Sequence, residues 1–286
     1  MTVNERTGVI HDIGYQRYTG ARLGRRYVVG SLFTHSLRTA YGLGRSGKAK
    51  VFPWGVVGIL VLVAGVVSAV RAGVGRVVLP YDNFPNAVVL LVVLFCAIVA
   101  PELVSRDLHS GVLQLYFARP LRPVDYAMAK LAAMVVAVWL LLAGPQLLMF
   151  VAGAFTVDGI RQVWDEVGAL LPGLAYSAIM AVVFGPLVLL IASLMRRRTV
   201  AAAVVVGAFI VTTPVVGVLN ALGDATAQQL SFLFSPMTLV AGVRQVLFGD
   251  GGMPIGDMGP VYVVVAAALA LGSAGLLVAR YRRAAI

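Results

Sequence analysis

The sequence predicts an all-α integral membrane protein with six transmembrane helices, and three observations carry that prediction. Composition is 60% hydrophobic and only 12% charged, with a mean hydropathy of +0.91, far from the ~25% charge of a soluble domain. Six apolar runs, at about 53–72, 84–101, 127–152, 170–195, 200–220 and 259–280, approach or exceed the roughly 20 residues needed to cross a hydrocarbon core. In lipid each must be helical, because every backbone polar group needs a partner within its own segment. The basic residues are also segregated. Of the 23 Lys and Arg, 19 fall in the N-terminal tail, the 102–130 stretch, the 196–198 triplet and the C-terminal end, leaving Arg71, Arg76, Arg161 and Arg244 in the alternate connections. By the positive-inside rule both termini and the 102–130 loop are cytoplasmic. The net charge of +11 then finds its partner in anionic lipid, at about 1 kcal/mol per basic residue near the surface, with no need of nucleic acid. Arg122 and the 196–198 triplet are accordingly read as lipid-facing topological charges.

The chain divides into a cytoplasmic tail, residues 1–52, and a membrane domain, residues 53–284. Residues 1–10 lack the basic-then-apolar order of a signal peptide. Residues 27–43 carry apolar and aromatic side chains among Arg25, Arg26, Arg38 and Arg45, with Phe52 and Trp54 just beyond. That pattern predicts a basic amphipathic elbow helix lying in the interface. It feeds into Pro53, which suits the first turn of a new helix.

After the second span comes the one long polar passage between apolar segments. Connections within helical bundles usually run two to eight residues, whereas this one occupies most of 102–130. At ~100° per residue, Val104, Leu108, Val112 and Leu115 share a stripe, and Glu102, Arg106, His109 and Ser110 lie opposite. Leu113 projects from the middle of the polar face. An amphipathic helix over 102–117 beside the membrane, offering an apolar knob to the water, reads as a docking element. The same passage carries Asp107, Gly111, Arg119 and Pro120.

The spans themselves hold little chemistry. They contain no Asp or Glu, the usual mark of ion coupling or proton relay. The lone Cys96 makes no disulfide and no metal cluster, and His11, His35 and His109 are scattered outside the spans. No HExxH, GxSxG, CxxC or GxxxxGK[ST] occurs, so the chain reads as a non-enzyme without a metal or cofactor of its own. Polar punctuation is present: Gly144-Pro145-Gln146 interrupts the third span, Gly185-Pro186 the fourth and Thr212-Thr213-Pro214 the fifth. Such kinks serve close helix packing. Alternatively, Gln146, Thr212, Thr213 and Asn220 line a path for an apolar or amphiphilic substrate. Before the last span, 231–249 is moderately apolar, with Pro236 near its start and Gly249 as a stop. At ~14 residues, 235–248 is too short to cross and fits a re-entrant or interfacial helix at the outer face, with Arg244 placed to reach headgroups or an outer-loop acid.

Together these features resemble an ABC type-2 exporter permease, across about residues 30–284. The resemblance rests on Glu102, on Gly111-Val112-Leu113, on the 118–125 passage with Pro120, Arg122, Pro123 and Asp125, on Lys130, and on Ser235-Pro236-Met237-Thr238 followed by Arg244 and Gly249. Ser110 departs from the charged residue usual before the glycine, and Arg122-Pro123 from the commoner Ser/Arg-Arg step. The resemblance implies a cytoplasmic coupling helix that docks into an ABC ATPase subunit, with Glu102, Arg106, Asp107, Ser110, Gly111, Leu113, Arg119 and Pro120 in or beside the contact. It implies two ATPase copies carrying ATP and Mg, a second permease copy or a paired permease, and a bacterial cytoplasmic membrane, to which the Ala-, Val-, Gly- and Arg-rich composition also points. The alternatives are a secondary transporter, for which inverted repeats are expected and none is visible, a non-transporting anchor or regulator of an ATPase, and a lipid-modifying enzyme.

Overall fold

A computed structural model describes residue 20 and residues 23–44, 46–104, 121–157, 159–249 and 252–284. Among these residues every regular element is a helix. In chain order they are α1 (Arg25–Ala40), α2 (Gly47–Val74), α3 (Phe84–Ala87), α4 (Val89–Leu103), α5 (Pro123–Ala154), α6 (Ile160–Leu194), α7 (Arg198–Ile210), α8 (Thr212–Leu222), α9 (Ala225–Ser231), α10 (Pro236–Phe248) and α11 (Gly259–Ala284). Five stretches are long and apolar enough to cross a membrane: α2, α5, α6, α7 with α8, and the segment ending in α11. The sixth expected span is shorter. It is split into α3 and α4 at Val88, and α4 alone has 15 residues, about 22 Å of helix.

The core is built on α4, α5 and α6. Val92, Val93, Phe95, Cys96 and Ala97 of α4 are almost fully buried, as are Met134, Ala137 and Val138 of α5 and Met180, Ala181 and Phe184 of α6. The most apolar windows of α5 and α6 are 50% and 61% buried, against 22% for α2, 17% for α7–α8 and 28% for α11. The outer helices therefore turn large side chains outward: Leu62 and Val66 on α2, Val211 and Val218 on the α7–α8 span, Val264, Leu271 and Leu276 on α11. So much exposed apolar surface has no stable place in water. It is the natural exterior of a multi-pass membrane protein.

Proline acts unequally in this bundle. Helices α5 and α6 run unbroken through Pro145 and Pro186, contrary to the expected interruptions, and α6 also runs through Pro172. Close packing holds the axis at one of these sites: a Cβ on Gly185 would sit 3.0 Å from Val135 of α5. The fifth span is interrupted at Val211 between α7 and α8 only in its hydrogen bonding, since Val211 keeps helical φ −64°, ψ −26°. Pro214 has no N–H for the Ile210 carbonyl and its ring crowds that group. The Thr212 and Thr213 hydroxyls meanwhile donate back to the Ala208 and Phe209 carbonyls.

Where an interfacial elbow was expected over 27–43, the chain forms a helix, α1, over Arg25–Ala40. Its contacts run lengthwise along α5: Arg25 pairs with Asp125 at one end, and the Tyr41 hydroxyl donates to the Ala137 carbonyl at the other. Twelve residues of α5 separate those partners, about 18 Å of axis. The turn that follows α1 is a Schellman motif. Leu43 N–H reaches the Arg38 carbonyl, Gly42 N–H reaches Thr39, and Gly42 takes φ +67°. A Cβ on Gly42 would stand 2.6 Å from the Ala49 carbonyl oxygen, so only glycine lets α2 start this close. Near the other end of the chain, the arm Ala225–Phe234 meets α10 at 115°. Pro236 excludes helical geometry from Ser235, which sits at φ −112°, ψ 131°. The expected helix over 235–248 is thus one arm of a sharply bent hairpin.

Candidate functional site

Ion pairs sort the helix ends into two poles. At one pole lie the start of α1, the end of α4, the starts of α5 and α7 and the end of α11. At the other lie the end of α2, residues 81–86, the end of α5 and the start of α6. The described structure stops at Val104 and resumes at Leu121, both at the first pole.

At that first pole both roots of the loop are held by arginines from other elements. Glu102, in the last turn of α4, accepts from Arg198 at the first residue of α7, at 2.5 Å. Asp125, in the first turn of α5, receives Arg25 in a two-pronged contact, Nε to Oδ2 at 2.6 Å and Nη2 to Oδ1 at 2.5 Å. Its Oδ2 also accepts the Arg122 backbone N–H. Arg198 was expected to face lipid; it pairs with protein instead. The Arg25 and Arg198 side chains are 47% and 46% exposed, so solvent screening leaves each pair little weight in stability. Their value is positional. Deeper at the same pole, Lys130 lies 5.4 Å from the Tyr126 ring centre, and Tyr126 packs on Tyr281 at 5.2 Å. Arg106, Asp107, Ser110, Gly111, Leu113, Arg119 and Pro120 lie outside the described residues.

The second pole is a denser network. Glu166 on α6 receives both Arg71 guanidinium nitrogens and the Tyr81 hydroxyl, the latter at 2.7 Å. Burial, and then the Glu166 carboxylate, hold the Tyr81 phenol above its ordinary range. Gly153 lies directly beneath: a Cβ there would be 3.0 Å from Arg71 and 3.2 Å from Glu166 and Tyr81. Next in sequence, Asp82 receives the buried Arg244 of α10 at 2.5 Å, an acid and not the headgroup that was the other expectation for this arginine. The Tyr176 hydroxyl of α6 donates to Asn86 Oδ1 at 2.5 Å. Gly173 makes the approach possible, since its Cβ would lie 2.7 Å from Tyr81 Cβ and 2.8 Å from its backbone carbon.

The four residues read as a transport path are not equivalent. Gln146 is fully buried, and its Nε2 donates to Ser177 Oγ at 2.8 Å. Ser177 spends its own proton on the Gly173 carbonyl, which fixes the amide orientation. Gln146 Oε1 is left without a partner among the described residues, a group costing about 1–3 kcal/mol when orphaned. The Thr212 and Thr213 hydroxyls are occupied by their own helix. Asn220 lies two turns further along α8, half-buried. The structure thus joins Gln146 to Ser177, which sequence reasoning did not name, and keeps the threonines at the α7–α8 junction.

No known protein family matches the chain. Comparison with curated proteins likewise finds no significantly similar sequence. Among the described residues no group of three or more His, Cys, Asp or Glu converges on a metal-sized site.

Sequence reasoning missed the Arg71–Glu166–Tyr81 network and the Asn86–Tyr176 bond. The available signal was the surplus of acids over bases in the connections that carry Arg71, Arg76, Arg161 and Arg244. Which acid meets which base depends on helix register, which a single sequence does not carry.

Proposed function

We propose that the chain is the transmembrane permease subunit of an ATP-driven exporter of the ABC type, carrying an apolar or amphiphilic substrate. A separate cytoplasmic ATPase supplies the energy, and residues 105–120 receive it. The observation that carries this reading is the double anchoring of that loop's roots: Glu102 to Arg198 and Asp125 to Arg25. A displacement at the loop passes directly into α4 and α5, and through the ion pairs into α7 and α1. Four elements then move together, which is what a rigid-body switch between two packings requires. The order of motifs from Glu102 to Gly249 supports the same reading. Two permease copies around two ATPases give the symmetric assembly usual for a lone subunit, and the orphan acceptor of Gln146 offers a polar contact within the bundle. The positive-inside bias puts both termini and the loop in the cytoplasm of a bacterial cell.

The test is to purify the tagged chain from the membranes in which it is made and to assay bound ATPase activity. Leu113→Asp places a charge where an apolar anchor docks, and desolvated anchors commonly cost ~2 kcal/mol or more when lost. The variant should insert normally and lose the ATPase. Arg106→Ala should weaken the association more at low salt than at high, because salt screens the charge it removes. Full retention of ATPase and export by Leu113→Asp contradicts the proposal.

A further inference from the structure

Between α1 and α5 runs a groove of about 690 Å³, lined by Arg25, Arg26, Val29, Gly30, Phe33, Asp125, Met128, Ala129 and Ala132. That volume lies within the ~300–1,000 Å³ of small-molecule sites. Its walls are two helical stripes at the same spacing, 26-29-30-33 on α1 and 125-128-129-132 on α5. Gly30, Ala129 and Ala132 leave the space, and a Cβ on Gly30 would meet nothing within 4 Å.

The groove is polar at one end only. Arg25 and Arg26 line it there with a single carboxylate, Asp125, which Arg25 engages with both prongs. Arg26 has no acidic partner among the described residues. The apolar walls run on from this cationic mouth along the start of a membrane span, the direction in which lipid tails lie. Net positive charge at the mouth and an apolar trough beneath it match one occupant in both charge and shape.

We infer that this groove binds an acidic phospholipid of the cytoplasmic leaflet, its phosphate at Arg26 beside the Arg25–Asp125 pair and an acyl chain along Val29, Phe33, Met128 and Ala132. The inference requires the membrane reading of the chain and is independent of any ATPase. A lipid seated here packs against α1 and α5 together, so leaflet composition acts on the same two elements that hold the Asp125 root of the loop.

The experiment is native mass spectrometry of the purified full chain, titrated with phosphatidylglycerol and, separately, with phosphatidylcholine. The expected result is one retained phosphatidylglycerol, held at least fivefold more tightly than phosphatidylcholine. Arg26→Gln should lower phosphatidylglycerol affinity about fivefold, while Arg26→Lys retains it. Gly30→Leu fills the trough and should abolish the retained lipid of either headgroup, with the thermal midpoint unchanged. Glycerol phosphate, which lacks the chains, should not compete. Equal retention of the two lipids, unchanged lipid binding by Gly30→Leu, competition by glycerol phosphate, or a Gly30→Leu effect on oligomeric mass alone would each overturn the assignment.

Discussion

At the residue scale, the two poles differ in what their charges do. The Arg71–Glu166 side chains are only 16% and 13% exposed, so removing one partner strands a largely desolvated charge. Glu166→Gln should destabilise by about 3 kcal/mol, in the range for a broken buried pair, read as a fall in the thermal midpoint in detergent. Glu102→Gln or Arg198→Ala, at the exposed pair, should shift that midpoint little and instead lower ATP-driven export. The charge-swapped pair Glu102→Arg with Arg198→Glu should recover part of the export. Tyr81 adds a pH signature. Because its folded value is raised by burial and by Glu166, its contribution is complete below the ordinary phenol value of about 10 and is lost as pH climbs through the raised one. Tyr81→Phe should flatten that alkaline decline. Gly173→Ala forces a methyl into the Tyr81 backbone and should cost about 1–3 kcal/mol. Gly168→Ala, with open space around it, should gain up to about 1 kcal/mol of helix propensity.

At the element scale, the bent hairpin before the last span depends on one side chain of that span. The Tyr262 ring fills the place of the missing Gly242 side chain, where a Cβ would come within 2.3 Å of it, and its hydroxyl donates to the Gln229 carbonyl at 2.5 Å. One tyrosine thus clasps both arms, α9 and α10. Thr238 ties the corner by donating to the Phe232 and Ser235 carbonyls, and Gln245 pairs with the Met253 backbone through both ends of its amide. Gly242→Ala should be more damaging than Tyr262→Phe, which keeps the ring and loses only one hydrogen bond. A double-mutant cycle of Gly242→Ala with Tyr262→Ala should show coupling well above 0.5 kcal/mol, measured by chemical unfolding. These elements were legible in the sequence to different depths. Length and apolarity announced the long helices, and Pro236 and Gly249 marked the ends of α10. The interruption at Val211 was visible in Thr212-Thr213-Pro214. Continuity through Pro145 and Pro186 was not, because it is decided by the neighbouring helix. The site was legible as residue types: Arg244 seeking an acid, Glu102 beside a loop. Their partners were hidden in register.

At the scale of the whole molecule, one arrangement underlies everything else. The exposed apolar faces of α2, α7–α8 and α11 make the described bundle a membrane body; two ion pairs and the Tyr126–Tyr281 ring contact tie the roots of the 105–120 loop to α7, α1 and the end of α11. The functional account requires the pole of that loop to face the cytoplasm, where the ATPase is. Cys96 is buried and is the only cysteine, so introduced thiols can be read against a silent background. The direct measurement is labelling of Ser110→Cys with a membrane-impermeant maleimide, in intact cells and in inverted vesicles, beside Ser46→Cys, Arg282→Cys, Asp158→Cys and Asp250→Cys. The account predicts that positions 46, 110 and 282 react only in inverted vesicles, and positions 158 and 250 only in intact cells. Reaction of Ser110→Cys from outside intact cells would contradict it.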